Sequence, residues 1–150
     1  MLSRRSCSDE DREFVYSIMK ENMEGYFNRN TPEKWSDDKF HKGFDPDRIK
    51  ILEIDGCSIG FYDVEDVYAN ESFLYIHNVQ IKKGKRGVGA DINRMLDEEA
   101  KTRNLTVIRG KVFCDNIRSI RFCEYMGYLV VSDSSLEEEN SIWIEKRLGI

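Results

Sequence analysis

Between Ile81 and Asp91 the chain reads Lys-Lys-Gly-Lys-Arg-Gly-Val-Gly-Ala. Lys82, Lys83, Lys85 and Arg86 crowd together in a chain whose formal net charge is −5, so the positive charge is local. Gly87 and Gly89 let the backbone approach a ligand closely and turn its N–H groups outward. Cations beside turned-out amides bind phosphate or diphosphate.

Two elements must position that loop. Ser72 to Ile81 is rich in β-branched and aromatic residues and reads as a long strand. Beyond the loop, Val88, Ile92, Met95, Leu96 and Ala100 fall on one helical face, with Asp91, Arg94, Asp97, Glu98 and Lys101 on the other. A helix start adds unpaired amide donors and a partial positive charge. Strand, loop and helix start together form a socket for an anion.

Upstream, Leu2 to Cys7 suits a short strand, and Ser8 with Asp9, Glu10 and Asp11 opens a helix expected to run to about Met23. Thr31-Pro32 predicts a second helix start, followed by Trp35, Phe40 and Phe44. Ile49 to Ile54, Asp55-Gly56 and Ser58 to Val64 read as a hairpin. Downstream, Leu105 to Phe113 suits a strand, and Asn116 caps a short helix that Gly127 ends. Tyr128 to Ser132 and Ser141 to Lys146 are the last expected strands, joined by the acidic run Leu136 to Asn140, which reads as a solvated loop.

Composition narrows the function classes. The 150 residues suit one domain, with 40% hydrophobic and 34% charged content typical of a soluble globular protein. The acidic balance argues against a nucleic-acid binder. No apolar run is long enough to span a membrane, and the N-terminus lacks a signal-peptide core. Cys7, Cys57, Cys114 and Cys123 show no zinc-site spacing, so no metal and a reducing, cytoplasmic setting are expected.

Three phosphate-binding patterns compete for the loop. The G-x-x-x-x-G-K-[ST] pattern fails because no Lys-Ser or Lys-Thr follows the glycines. The dinucleotide pattern G-x-G-x-x-G fails at Ile92 and lacks βαβ units upstream. The third fits. Val79 to Ile92 resembles motif A of the GNAT superfamily of acyl-CoA N-acyltransferases. Asn116 to Tyr128, N-I-R-S-I-R-F-C-E-Y-M-G-Y, resembles its motif B. The match covers Leu74 to Tyr128.

The resemblance implies an α/β (α+β) GNAT fold: a mixed, mostly antiparallel sheet, splayed between strands 4 and 5, with about four flanking helices. It implies acetyl-CoA as cosubstrate, its pantetheine amides paired with the main chain of Val79, Gln80 and Ile81. Its diphosphate would rest on Lys85, Arg86, Gly87, Val88, Gly89 and Ala90, and Asn116 would hydrogen-bond its arm. The chain departs from the motifs in three places. Ile81 replaces the usual proline, Gly84 the usual Gln or Arg, and Cys123 the tyrosine that protonates the departing thiolate. A thiol titrates near about 8.5 against about 10 for a phenol, so Cys123 can in principle donate, though it is shorter.

Aminolysis of a thioester needs a neutral amine, and freeing a lysine-like amine at neutral pH costs about 4.6 kcal/mol. His77, Glu71 and Glu65 are the candidate bases, with His77 on the strand face of Tyr75 and Val79. An amide near Val79 or Gln80 would meet the oxyanion. The protein N-terminal acetyltransferases of this superfamily often carry a glutamate five positions before the motif B asparagine, where this chain has Lys111. Tyr26, Phe27, Trp35, Phe40 and Phe44 suit either an acceptor pocket or core packing. The expected activity is direct N-acetylation, in a ternary complex, of a primary amine on a small molecule or peptide. A CoA-binding regulatory module without turnover is the alternative, and a homodimer fits the resemblance.

Overall fold

The computed structural model describes residues 1–132 and 140–149, so the acidic run 136–139 lies outside the described residues. The elements are β1 (Leu2–Ser6), α1 (Arg12–Asn30), α2 (Asp37–Gly43), β2 (Ile49–Ile54), β3 (Cys57–Val67) and β4 (Phe73–Ile81). They continue with α3 (Gly89–Thr102), β5 (Val107–Phe113), α4 (Ile117–Tyr125), β6 (Leu129–Ser132) and β7 (Ser141–Arg147). The strands form a seven-stranded sheet in the order β1-β2-β3-β4-β5-β7-β6. The pairs β1/β2, β2/β3, β5/β7 and β6/β7 are antiparallel and β4/β5 is parallel, as expected of a mixed, mostly antiparallel sheet. The chain divides into two compact units, Met1–Asp63 with Asn78–Arg86, and Val64–His77 with Gly87–Ile150.

In the first unit, Val15, Ile18 and Met19 of α1 meet Ile49, Ile51 and Phe61 in one apolar cluster. Each such side chain contributes about 1.5–3 kcal/mol by leaving water. Phe27, Trp35, Phe40 and Phe44 pack against the same cluster, so core packing claims these aromatics. Asp11 accepts from the Ser8 amide at 2.9 Å and closes the expected capping box. Arg5 grips that carboxylate through both terminal nitrogens, at 2.8 and 3.0 Å, and holds it below the usual range. Asp55 (φ 50°) and Gly56 (φ 79°) make the predicted hairpin turn.

Two helix boundaries differ from expectation. α1 runs to Asn30 rather than Met23, and Thr31 closes it: its amide and hydroxyl both donate to the Phe27 carbonyl, at 3.0 and 2.9 Å. Thr31-Pro32 therefore ends one helix instead of starting the next. The second helix starts after Ser36, whose hydroxyl accepts from the Lys39 amide at 3.2 Å, ahead of Asp37 and Asp38 in the first turn.

In the second unit, Ile92, Met95, Leu96 and Ala100 of α3 are buried, and the helix packs on β5. The predicted amphipathic face is the one that faces inward. Leu74, Ile108 and Ile144 are buried from three neighbouring strands. The parallel ladder joins Leu74–Ile76 to Ile108–Gly110, while β4 continues to Ile81 and β5 to Phe113.

Candidate functional site

The basic loop is built from two turns. The Lys85 amide donates to the Lys82 carbonyl at 3.3 Å across Gly84, whose φ of +88° suits glycine. Gly87 also has positive φ, +79°, immediately before the helix start. Lys82, Lys83, Lys85 and Arg86 are all exposed, and Lys83 lies 3.7 Å from Glu21. Val88 precedes the first turn of α3 and, as a valine, gives that turn's amides no side-chain cap. The first carbonyl bonded inside the helix is that of Val88, which accepts from the Ile92 amide at 3.0 Å. The first-turn amides of a helix have no acceptor within it, and Val88 supplies none.

Gly89 has another explanation than the one the sequence suggested. A Cβ there would stand 2.5 Å from the Phe122 ring. α4 lays the Phe122 ring against the start of α3, and a larger residue at 89 would have to push that exposed ring aside. Gly87 supplies the turn and Gly89 the packing.

α4 begins differently. Asn116 accepts from the Ser119 amide at 3.2 Å, a side-chain cap, so its carbonyl oxygen serves the helix. Cys123 lies on the same helix, half-buried, and burial pushes its thiol up to about 11. Burial removes the advantage a thiol holds over a phenol as a proton donor. Against a thiol at about 8.5, the transfer is uphill by roughly 3 kcal/mol. Tyr125 is 83% exposed and does not take the missing phenol's place.

The candidate bases sit in contrasting surroundings. His77 Nε2 lies 2.8 Å from Glu65 Oε1, so those two come together. Glu71 does not join them. Arg147 donates to both its oxygens, at 2.7 and 2.8 Å, and Arg109 adds a third bond at 2.9 Å. These guanidinium contacts hold the Glu71 carboxyl below its usual range, which makes it a weaker base. Lys111 carries its ammonium 5.3 Å over the Trp143 ring.

On β4, a side chain absent from the sequence reading governs the strand end. Asn22 of α1 donates to Gln80 Oε1 at 3.1 Å and to the Ile81 carbonyl at 3.0 Å. A Cβ on Gly60 would strike the Gln80 carbonyl and the Ile81 side chain, so β3 lies closer to β4 than any side chain permits. Asn22 follows the helical periodicity without standing out, so no local signal marks it. An isolated glycine inside a strand was the available sign for Gly60. Among the described residues no cluster of His, Cys, Asp and Glu could hold a metal ion. No helix among them is long and apolar enough to cross a membrane.

No protein-family model and no curated protein sequence matches the chain. Solved structures do. N-acetylglutamate synthase from Neisseria gonorrhoeae, in complex with coenzyme A and N-acetyl-glutamate, superposes with a TM-score of 0.72 at 14% identity. That match covers all of this chain but only 36% of the synthase chain. Ard1 from Thermoplasma volcanium gives a TM-score of 0.73 at 18% identity, covering 99% of both chains. A GNAT-family acetyltransferase from Bacillus anthracis gives 0.70 at 15% identity, over 97% of this chain and 94% of that one. The class is thereby defined: the chain has the GNAT fold.

Proposed function

We propose that the chain is an acetyl-CoA-dependent N-acetyltransferase acting on a primary amine of a small molecule or peptide. The observation that carries this reading is the start of α3, where uncapped amides follow a loop of exposed cations. Lys85 and Arg86, with the amides of Gly87, Val88, Gly89 and Ala90, would hold a diphosphate there. The main chain of Val79, Gln80 and Ile81 would pair with the pantetheine arm. β4 runs on beyond its ladder with β5 over this stretch. Asn116 is proposed to add a bond to the arm from its place at the head of α4.

When bound, the cosubstrate supplies an acyl thioester. His77 would take a proton from the acceptor ammonium, and the amide of Val79 or Gln80 would meet the developing oxyanion. Acceptor and thioester react directly, both bound at once. A second reading, CoA binding without turnover, is favoured by the buried thiol that stands where the family's phenol belongs.

Calorimetry with CoA and acetyl-CoA tests the binding. Thiol release from acetyl-CoA with spermidine, kanamycin, L-lysine and an alanine-initiated peptide tests the chemistry. Binding of both cofactors and release with one of these amines are expected. Binding without release from any of them favours the second reading, and no binding refutes both.

A further inference from the structure

We infer that Glu65 is a positioning residue for His77: it holds the ring proton on Nε2 and leaves Nδ1 as the basic nitrogen. This rests on the acetyltransferase reading. Glu65 ends up beside His77 because β3 extends to Val67, beyond the expected end of that strand.

The geometry constrains the ring from two sides. Nε2 lies 2.8 Å from Glu65 Oε1. A carboxylate only accepts, so the proton between them belongs to the imidazole. The neutral ring carries one N–H, so Nδ1 holds the lone pair. Tyr75 stands edge-on to the imidazole, with centroids 4.7 Å apart at 89°, and leans in turn on Trp143 at 5.9 Å. That packing resists rotation of the ring. Among the described residues Nδ1 has no hydrogen-bond partner, yet it is not sealed from solvent. His77 is also the first β4 residue past the ladder with β5, which ends at Ile76. Glu71, by contrast, spends its carboxylate on two arginines.

The step balances as follows. The acceptor ammonium gives one proton to Nδ1, while the Nε2 proton stays on the ring against Glu65 Oε1. The freed nitrogen pair forms the C–N bond to the acyl carbon. The C–S bond breaks with its pair leaving on sulphur, a second amine proton ends on that sulphur, and the proton on Nδ1 passes to water.

The alternative is a cross-strand pair that only supports the sheet. Two measurements separate them. Long-range ¹H–¹⁵N NMR of the histidine-labelled protein, with His41→Gln for assignment, should show His77 protonated on Nε2. Glu65→Ala should mix the tautomers. With the best amine of the panel, Glu65→Ala should lower kcat by roughly ten- to a hundredfold with little change in KM. Glu65→Asp should restore part of that loss. In a His77→Gln background, Glu65→Ala should cost nothing further, because its effect passes through the ring. An Nδ1-protonated ring, or losses that multiply in the double variant, would overturn this inference while leaving the acetyltransferase reading intact. If no amine releases thiol, both fall.

Discussion

α3 and α4 begin in opposite ways. α4 opens with its own cap: Asn116 accepts from the amide of Ser119. α3 starts at Val88 with no side-chain acceptor, behind a loop of cations and a positive-φ glycine. A helix start that leaves its donors unspent is less stable alone by about 1 kcal/mol than a capped one. Under the proposed function, a bound diphosphate would offset that cost. The capped start reads first as architecture, whatever further contact its side chain makes.

The contrast can be broken experimentally, and the largest effect belongs to the loop. Lys85→Glu with Arg86→Glu should weaken CoA binding by about ten- to a hundredfold at low salt, measured by calorimetry, with the gap narrowing as salt rises. Unchanged affinity would mean that the open helix start is not the anchor. Next is Gly89→Leu, which must displace the Phe122 ring. Because the ring is 44% exposed and can yield, the cost should be about 1 kcal/mol, a fall of roughly 2–4 °C in Tm for a domain of this size. Phe122→Ala in the same chain should recover part of the loss, which identifies the contact as the cause.

Asn116→Ala should cost about 1 kcal/mol, or roughly 2–4 °C in Tm, through loss of the cap. Asn116→Asp keeps the acceptor and should keep the stability. If Asn116 also holds the cofactor arm through its amide N–H, both variants weaken CoA binding; a cap alone leaves affinity unchanged.

The smallest effect lies on the alkaline side. Burial holds the Cys123 thiol up to about 11, above the 9.0 it would have unburied. Above about 9 the unfolded chain releases this proton while the folded chain keeps it. The contribution to stability is therefore complete below 9 and is lost as pH rises toward about 11. Cys123→Ser should flatten that decline in thermal melts taken across this range. A decline of unchanged slope would place its origin elsewhere.

How far the sequence carried depended on how local each signal was. The amphipathic face of α3, the Asp55-Gly56 turn and the capped start at Asn116 are written within a few residues and were legible. The Thr31-Pro32 signal was misleading because its donors are taken by the preceding turn, which only the three-dimensional end of α1 reveals. Glu71 looked like any strand-flanking acid. Its clamp comes from Arg109 and Arg147, 38 and 76 residues away. Likewise the pattern flagged Gly89 but could not say whether a ligand or a neighbouring ring required it. The rise in the Cys123 thiol depends on burial, which residue type alone does not report.

Gly60 has one consequence for the way this strand can vary. Since a Cβ at 60 would strike the Gln80 carbonyl and the Ile81 side chain, the path of that segment depends on glycine at this position of β3, as well as on the Asn22 bonds. Exchanging residues 80 or 81 will alter the chemistry on offer and leave the track of the strand in place. A single carbon added at 60 will do the reverse, shifting the track while every reactive group stays the same.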